Sequence, residues 1–259
     1  MLSDDLNACA DQVRRADPER FLAAMAAPVA ARRVLFPLYA FNAEVARAPW
    51  VTQESMIAEM RLQWWRDVLE EIRASGNVRR HEVASPLAEV LDEEGTRLLD
   101  ELILARRWDI YRDPFEDEAV FRDHLLKSSG HLMWAAARAL GAPADAEAAV
   151  SDAGYAHGLG NWLRAIPALE QAGRVPLVDG RPEAVQELAK EGGLRLSKAR
   201  QARGVIPSKA VAALLPAWKT AAILRRAVQN PANVAEGRLD VSPMQSRLML
   251  MARAATGRW

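Results

Sequence analysis

Carboxylates four residues apart are the pattern in this sequence most able to do chemistry. Such a pair lies on one face of a helix. Two facing helices so equipped form an oxygen cage for Mg²⁺ and, through it, for a diphosphate. Asp67/Glu71, Glu89/Glu93, Asp113/Asp117 and Glu183/Glu187 have the spacing, but each stands in charged surroundings and reads as a solvated helix face. The histidines His81, His124, His131 and His157 lack the tight spacing of a metal site, and His157 reads as a core or surface residue. Cys9 is the single cysteine, which excludes an internal disulfide framework and a cysteine-rich zinc site. There is no Gly-rich phosphate loop and no Ser/His/Asp pattern.

The bulk properties narrow the classes further. A chain of 259 residues can bury a large core. Its formal net charge of zero argues against a nucleic-acid binder driven by phosphate neutralisation. Asp4 and Asp5 stand where a secretory leader would be basic, and no apolar run reaches the ~18 residues of a membrane span. The expectation is a cytoplasmic protein, soluble or peripheral to the inner membrane.

The elements that would position any site are helices. Ala, Leu, Arg and Glu dominate, and no alternating strand-like run occurs. The central stretch is 152–178, where Tyr155, Leu159, Trp162, Leu163 and Ile166 recur at helical spacing. Gly154 and Gly158 share a face of it, at ~1 kcal/mol each relative to alanine, which implies close approach by another helix or a ligand. Pro167 disturbs this helix and Gly173 ends it. The small Ser128-Ser129-Gly130 step, within a helix predicted over 116–140, would likewise admit a close neighbour.

Other elements follow in order. Helices are predicted over 6–15 and 19–27, the second started by Asp17-Pro18. Pro28 opens the next segment, which Pro37 kinks. Thr52 caps a helix to about Ser75, stopped at Gly76-Asn77, whose apolar face is Met56, Met60, Trp64 and Leu69, with Trp65 at the edge. The tryptophan pair reads as core packing. A short helix over 86–94 closes at Gly95, and Thr96 begins another. Gly192-Gly193 breaks the helix that starts near Pro182. A last long helix spans 207–230 with a kink at Pro216. The tail, 242–259, carries Met244, Leu248, Met249 and Met251 with Arg247, Arg253 and Arg258 and no acid. It is a basic amphipathic helix, suited to docking on its own domain or to an anionic membrane surface, with docking favoured.

Two stretches together resemble the squalene/phytoene synthase family. In 152–178, Asp152, Gly154, Ala156, Leu159, Asn161, Leu163, Arg164, Gly173, Arg174 and Leu177 match its second aspartate-rich helix. Ala165 and Leu169 stand where that family has metal-binding aspartates, and Gly158 where it has glutamine. In the first motif Arg32, Arg33, Leu38, Tyr39, Ala40 and Phe41 match, while the acidic positions fall at Ala46, Arg47 and Trp50. Glu44 has no second acid beside it.

The resemblance implies an all-α, single-domain isoprenoid-synthase-like fold over 1–259, with roughly ten helices around a central cavity. Helices 28–48 and 146–171 should face each other across it, with Asn161 and Arg164 near it. Within the family, the phrases LYAFNAEVA, RLQWWRD, LRAIP and SKARQARGVIPSKAVAALLPAW are similar to a non-catalytic subgroup, the respiratory complex I assembly type. The implied function is a catalytically degenerate assembly or binding factor. Its partner would be a respiratory complex I subunit, or a lipid-like ligand in a remnant cavity bounded by Tyr39, Phe41, Tyr155, Asn161 and Arg164. No catalytic residue, metal or cofactor is expected. The alternative is an active prenyl-diphosphate condensing transferase, which would need Mg²⁺. A weaker option binds diphosphate without metal through Arg47, Arg164 and Arg174.

Overall fold

A computed structural model describes residues 4–52, 54–74, 77–111 and 113–259. Among them there is no strand. The chain runs through α1 (Asp4–Ala16), α2 (Pro18–Ala26), α3 (Val29–Arg47), α4 (Ser55–Arg73), α5 (Ala84–Ala88), α6 (Glu93–Arg106) and α7 (Glu118–Leu125). A π-helical turn, Leu126–Gly130, leads into α8 (His131–Ala139). Then come α9 (Glu147–Gln171), α10 (Pro182–Gln201), a 3₁₀ stretch (Ala210–Ala217), α11 (Thr220–Gln229), α12 (Ala232–Ala235) and α13 (Pro243–Thr256). The expected all-α domain is present, with several of its helices shorter than the periodicity suggested.

Local chemistry explains the boundaries. Asp17 caps α2, accepting from the Arg20 backbone N–H at 2.9 Å, with Pro18 in the first turn. Asp92 caps α6 by accepting from Gly95 N–H at 2.7 Å, so that helix begins at Glu93 and not at Thr96, and Gly95 lies inside its first turn rather than closing α5. Asp117 caps α7 through the Ala119 and Val120 amides. Thr52 accepts from Glu54 N–H, but α4 starts at Ser55. The helix is described to Arg73; of its expected end at Ser75 and stop at Gly76-Asn77, Ser75 and Gly76 lie outside the described residues. Gly173, at a positive φ of 76°, ends α9, while Pro37 and Pro167 sit inside continuous helices.

Four expectations are corrected. The buried face of α4 is Ala58, Leu62, Trp65, Val68 and Leu69, whereas Met56 and Met60 are exposed. Two stripes at helical spacing competed, and the one holding both smaller and larger apolar residues faces the core. Trp65, expected at the edge, is buried and meets Phe41 edge-on at 5.1 Å. Gly192 and Gly193 do not break α10. Gly192 instead lets α10 lie against α9, since a Cβ there would come within 2.7 Å of Leu159 Cδ2. The segment 207–230 is not one helix, because Pro216 lies in a 3₁₀ stretch that ends before α11.

The core is organised around α9, whose Tyr155, Leu159, Leu163 and Ile166 are buried. Its glycines let another helical segment approach closely in the interior. A Cβ on Gly154 would meet Gly130 Cα at 2.7 Å, and one on Gly158 would meet Ser129 Cβ at 2.6 Å. Ser129 Oγ donates across this contact to the Gly154 carbonyl at 2.8 Å. The close neighbour that each small-residue step required is therefore the other one. The π turn carries Ser128, Ser129 and Gly130 to that contact.

Candidate functional site

A cleft of about 550 Å³ opens between the C-terminal half of α9, the end of α3 and the α1–α2 junction. Ala46 and Trp50 line it from one side, and Asn161, Arg164, Ala165 and Leu169 from the other. Helices α3 and α9 thus face each other across it as expected. The four degenerate positions converge on one space, although they derive from segments more than a hundred residues apart.

None of those four side chains offers an oxygen. The carboxylates that do reach the cleft belong to other residues and are engaged. Glu19 binds Arg164 at 3.1 Å and also Lys219. Asp240 binds Arg164 at 2.7 Å and lies 3.7 Å from Lys219. Asp17 pairs with Arg20 at 2.8 Å, and Asp109 with Arg106 at 3.2 Å. Burial opposes ionisation of Asp17, but the Arg20 charge and backbone amide outweigh it and hold the carboxyl below its ordinary range. No group of three or more His, Cys, Asp or Glu among the described residues is placed to hold a metal ion. Each carboxylate that lines the cleft is paired with a guanidinium or ammonium group.

Asn161 links the ion pairs to a buried histidine. Its Oδ1 accepts from Arg164 Nη1 at 3.1 Å, and its Nδ2 lies 3.1 Å from His157 Nε2. The other His157 nitrogen, Nδ1, lies 3.4 Å from Thr220 Oγ1. With the amide donating to Nε2, the imidazole is neutral and carries its proton on Nδ1. Burial, aided by the Arg20 charge, pushes His157 down to about 3.

The remaining expected site residues fall elsewhere. Tyr39 is buried under the Arg20 guanidinium, 5.7 Å from its ring centroid. Phe41 packs in the core on Trp65. Tyr155 is buried behind α9 beneath Arg195, at 4.0 Å. Asn161 and Arg164 are thus brought together on the cleft wall, while the three aromatic residues lie in the packing behind it. Of the three arginines considered for a metal-free diphosphate site, only Arg164 lines the cleft. Arg174 donates to the carbonyls of Trp108, Asp109 and Tyr111 and stacks over Trp50 at 4.8 Å. Arg47 is exposed. Glu44 accepts from Gln12 Nε2 at 2.5 Å.

Glu19, Lys219 and Asp240 were not singled out by sequence reasoning. One local signal existed: Lys219 is a lone charge in the apolar run 210–224, and an isolated ammonium in such a run needs a carboxylate partner.

Comparisons with known proteins bear on this site. The family model described as Squalene/phytoene synthase matches residues 13–178. A Drosophila melanogaster protein named NADH dehydrogenase (ubiquinone) complex I, assembly factor 6 homolog is 27% identical over 246 residues, covering 84% of this chain and 74% of its own. The Homo sapiens protein named NADH dehydrogenase (ubiquinone) complex I, assembly factor 6 is 27% identical over 173 residues. That match covers 61% of this chain and 48% of the human one, so the chain spans about half of that relative's length. Among solved structures, a dehydrosqualene synthase in complex with ligand superposes with a TM-score of 0.79 at 15% identity, over 97% of this chain and 95% of that one. The squalene synthase HpnC from Alicyclobacillus acidocaldarius gives 0.69 at 17% identity, over 87% and 95%. At these identities the structural likeness speaks for the fold alone.

Proposed function

The chain belongs to the squalene/phytoene synthase family, and from that premise we propose that it is a catalytically degenerate member acting as an assembly or binding factor of the respiratory complex I type. One observation carries the reading. Ala46, Trp50, Ala165 and Leu169 line a single cleft whose carboxylates are all held in ion pairs. Departure of a diphosphate leaves a multiply negative group beside an allylic cation, and that charge must be neutralised by metal or by free cationic side chains. Here Arg164 and Lys219 are already committed to Glu19 and Asp240. The names of the relatives supply the second half of the reading, the assembly role.

The partner is a respiratory complex I subunit, and the remnant cavity beside Asn161 and Arg164 is the place for a lipid-like ligand, with Tyr39, Phe41 and Tyr155 behind its wall. The protein works without Mg²⁺. No helix among the described residues is long and apolar enough to cross a membrane. The location proposed, by analogy with the assembly role, is cytoplasmic and peripheral to the inner membrane.

Two measurements test this. The purified protein, given farnesyl or geranylgeranyl diphosphate with Mg²⁺ or Mn²⁺, should yield no hydrocarbon. Product that depends on added metal and disappears with EDTA would return the chain to the condensing enzymes. Deleting the gene in its host should lower assembled complex I on native gels and leave the host's C30 and C40 hydrocarbons unchanged. An unaltered complex I level refutes the assembly role.

A further inference from the structure

The C-terminal helix α13 is fastened on one side only. Leu250 and the terminal Trp259 are buried. Trp218 Nε1 donates to Ser246 Oγ at 3.1 Å, and Arg200 Nε donates to the Trp259 carbonyl at 2.9 Å. The opposite side is uncovered. Met244, Leu248 and Met251 are 72%, 59% and 67% exposed, and their spacing of four and three puts them on one helix face. Arg247 and Arg258 are exposed beside them.

The helix against which α13 packs repeats the pattern. On α2, Leu22 and Met25 are exposed, and at the start of α3 Val29 is 66% exposed. Arg33 is exposed one turn further on. The single acid between 18 and 33 is Glu19, which is turned inward onto Arg164 and Lys219. Two neighbouring helical segments therefore present methionine, leucine and valine to solvent, with arginine as the charge beside them.

We infer that the outer face of α13, the exposed residues of α2 and the first turns of α3 form one surface that lies on a bilayer containing anionic lipids. The inference rests on the peripheral location proposed above and names the surface responsible. Uncovered Met and Leu side chains gain by entering the boundary between headgroups and acyl chains. Arginine stems lie along that boundary while their heads meet lipid phosphates, each worth roughly fivefold in affinity near an anionic surface. A second copy is the poorer occupant. A two-fold interface would bring this face, whose exposed charge is arginine, against the same positive charge on its copy. These residues are exposed and do not line the 550 Å³ cleft, so the occupant inferred is an apolar, negatively charged plane and not a shaped insert.

Sedimentation of the full chain with vesicles tests the inference. Binding should be strong to phosphatidylcholine mixed with phosphatidylglycerol and roughly tenfold or more weaker to phosphatidylcholine alone, and should fall with added salt. Leu248→Ser with Met251→Ser should weaken binding at every salt concentration. Arg247→Glu with Arg258→Glu should weaken it most at low salt. Met25→Ser with Val29→Ser, distant in sequence from the tail, should also weaken it. All these positions are exposed, so the thermal transition should stay unchanged and serves as the control for folding. Equal binding to both vesicle types, or no binding, overturns the inference. Indifference to the Met25/Val29 pair overturns the two-segment surface. If these variants bind vesicles as the parent does while loss of the gene lowers assembled complex I, the membrane surface falls alone. Metal-dependent hydrocarbon product refutes the non-catalytic reading alone.

Discussion

Glu19 is the residue on which the electrostatics of the cleft turn. It pairs with Lys219, which is buried, and shares Arg164 with Asp240. An ammonium left buried without its carboxylate is strongly destabilising, although Glu19 is itself partly exposed and water recovers some of that loss. Glu19→Gln is expected to lower the unfolding free energy by ~1–3 kcal/mol in urea titration. Adding Lys219→Met should regain part of it, because the buried ammonium that Glu19 neutralised is then gone. Equal losses in the single and double variants would show that the pair is not coupled. His157 makes a second prediction. Burial pushes it down to about 3, as it does His124, from an ordinary value of 6.5. Between those values the unfolded chain binds protons that the folded chain refuses. Stability present above the ordinary value is therefore lost as pH falls, by ~1.4 kcal/mol per unit for each histidine. His157→Gln should flatten the decline measured between about pH 6 and 4. A slope equal to that of the parent would mean that His157 is protonated in the fold.

At the scale of elements, the contact of α9 with the π turn sets how closely the interior closes. Alanine at Gly158 would gain up to ~1 kcal/mol of helix propensity but drive its Cβ to 2.6 Å from Ser129 Cβ. Overpacking of this kind costs ~1–3 kcal/mol, so Gly158→Ala should lower the thermal midpoint, and Ser129→Gly in the same chain should restore part of it. Gly154→Ala meets the Gly130 backbone at 2.7 Å and should not be rescued by any side-chain change on the π turn. Recovery in that pair as well would mean that the helices simply move apart. Both halves of this contact were legible in the sequence, because a glycine pair on one helix face and a Ser-Ser-Gly step are local patterns with few physical explanations. Other elements were less so. Gly192-Gly193 looks like a break until Leu159 is known to press on it, and Met56 and Met60 share the helical spacing of a core stripe. In each case a tertiary neighbour, absent from the local pattern, decides.

For the molecule as a whole, the degenerate positions could be located from sequence because each is counted along one continuous stretch of chain from residues that fit the family, Leu38 to Phe41 for one motif and Asn161 with Arg164 for the other. The ion network that occupies their place could not. Glu19, Arg164, Lys219 and Asp240 come from distant parts of the chain, and only packing makes neighbours of them. That difference shapes the prediction that reaches furthest. Replacing Ala165 and Leu169 alone by aspartate supplies one wall of a cage and should give no response to Mg²⁺. Replacing Ala46, Trp50, Ala165 and Leu169 together supplies both walls. The loss of Leu169, which is buried, removes on the order of 3 kcal/mol of packing, and the new carboxylates crowd one another. Crowding and burial raise their pKa values, so the four-substituted protein should be less stable than its parent at neutral pH and should regain stability as the pH falls and the acids protonate. Mg²⁺ should have the same effect at neutral pH by neutralising them. The measurement is the thermal midpoint with and without Mg²⁺ for the parent, the Ala165/Leu169 pair and the full set, with a rise expected in the last alone. An equal rise in the parent would mean that Asp17, Glu19, Asp109 or Asp240 leaves its arginine for the metal, and the argument that the ion pairs exclude a cation from this cleft would fail.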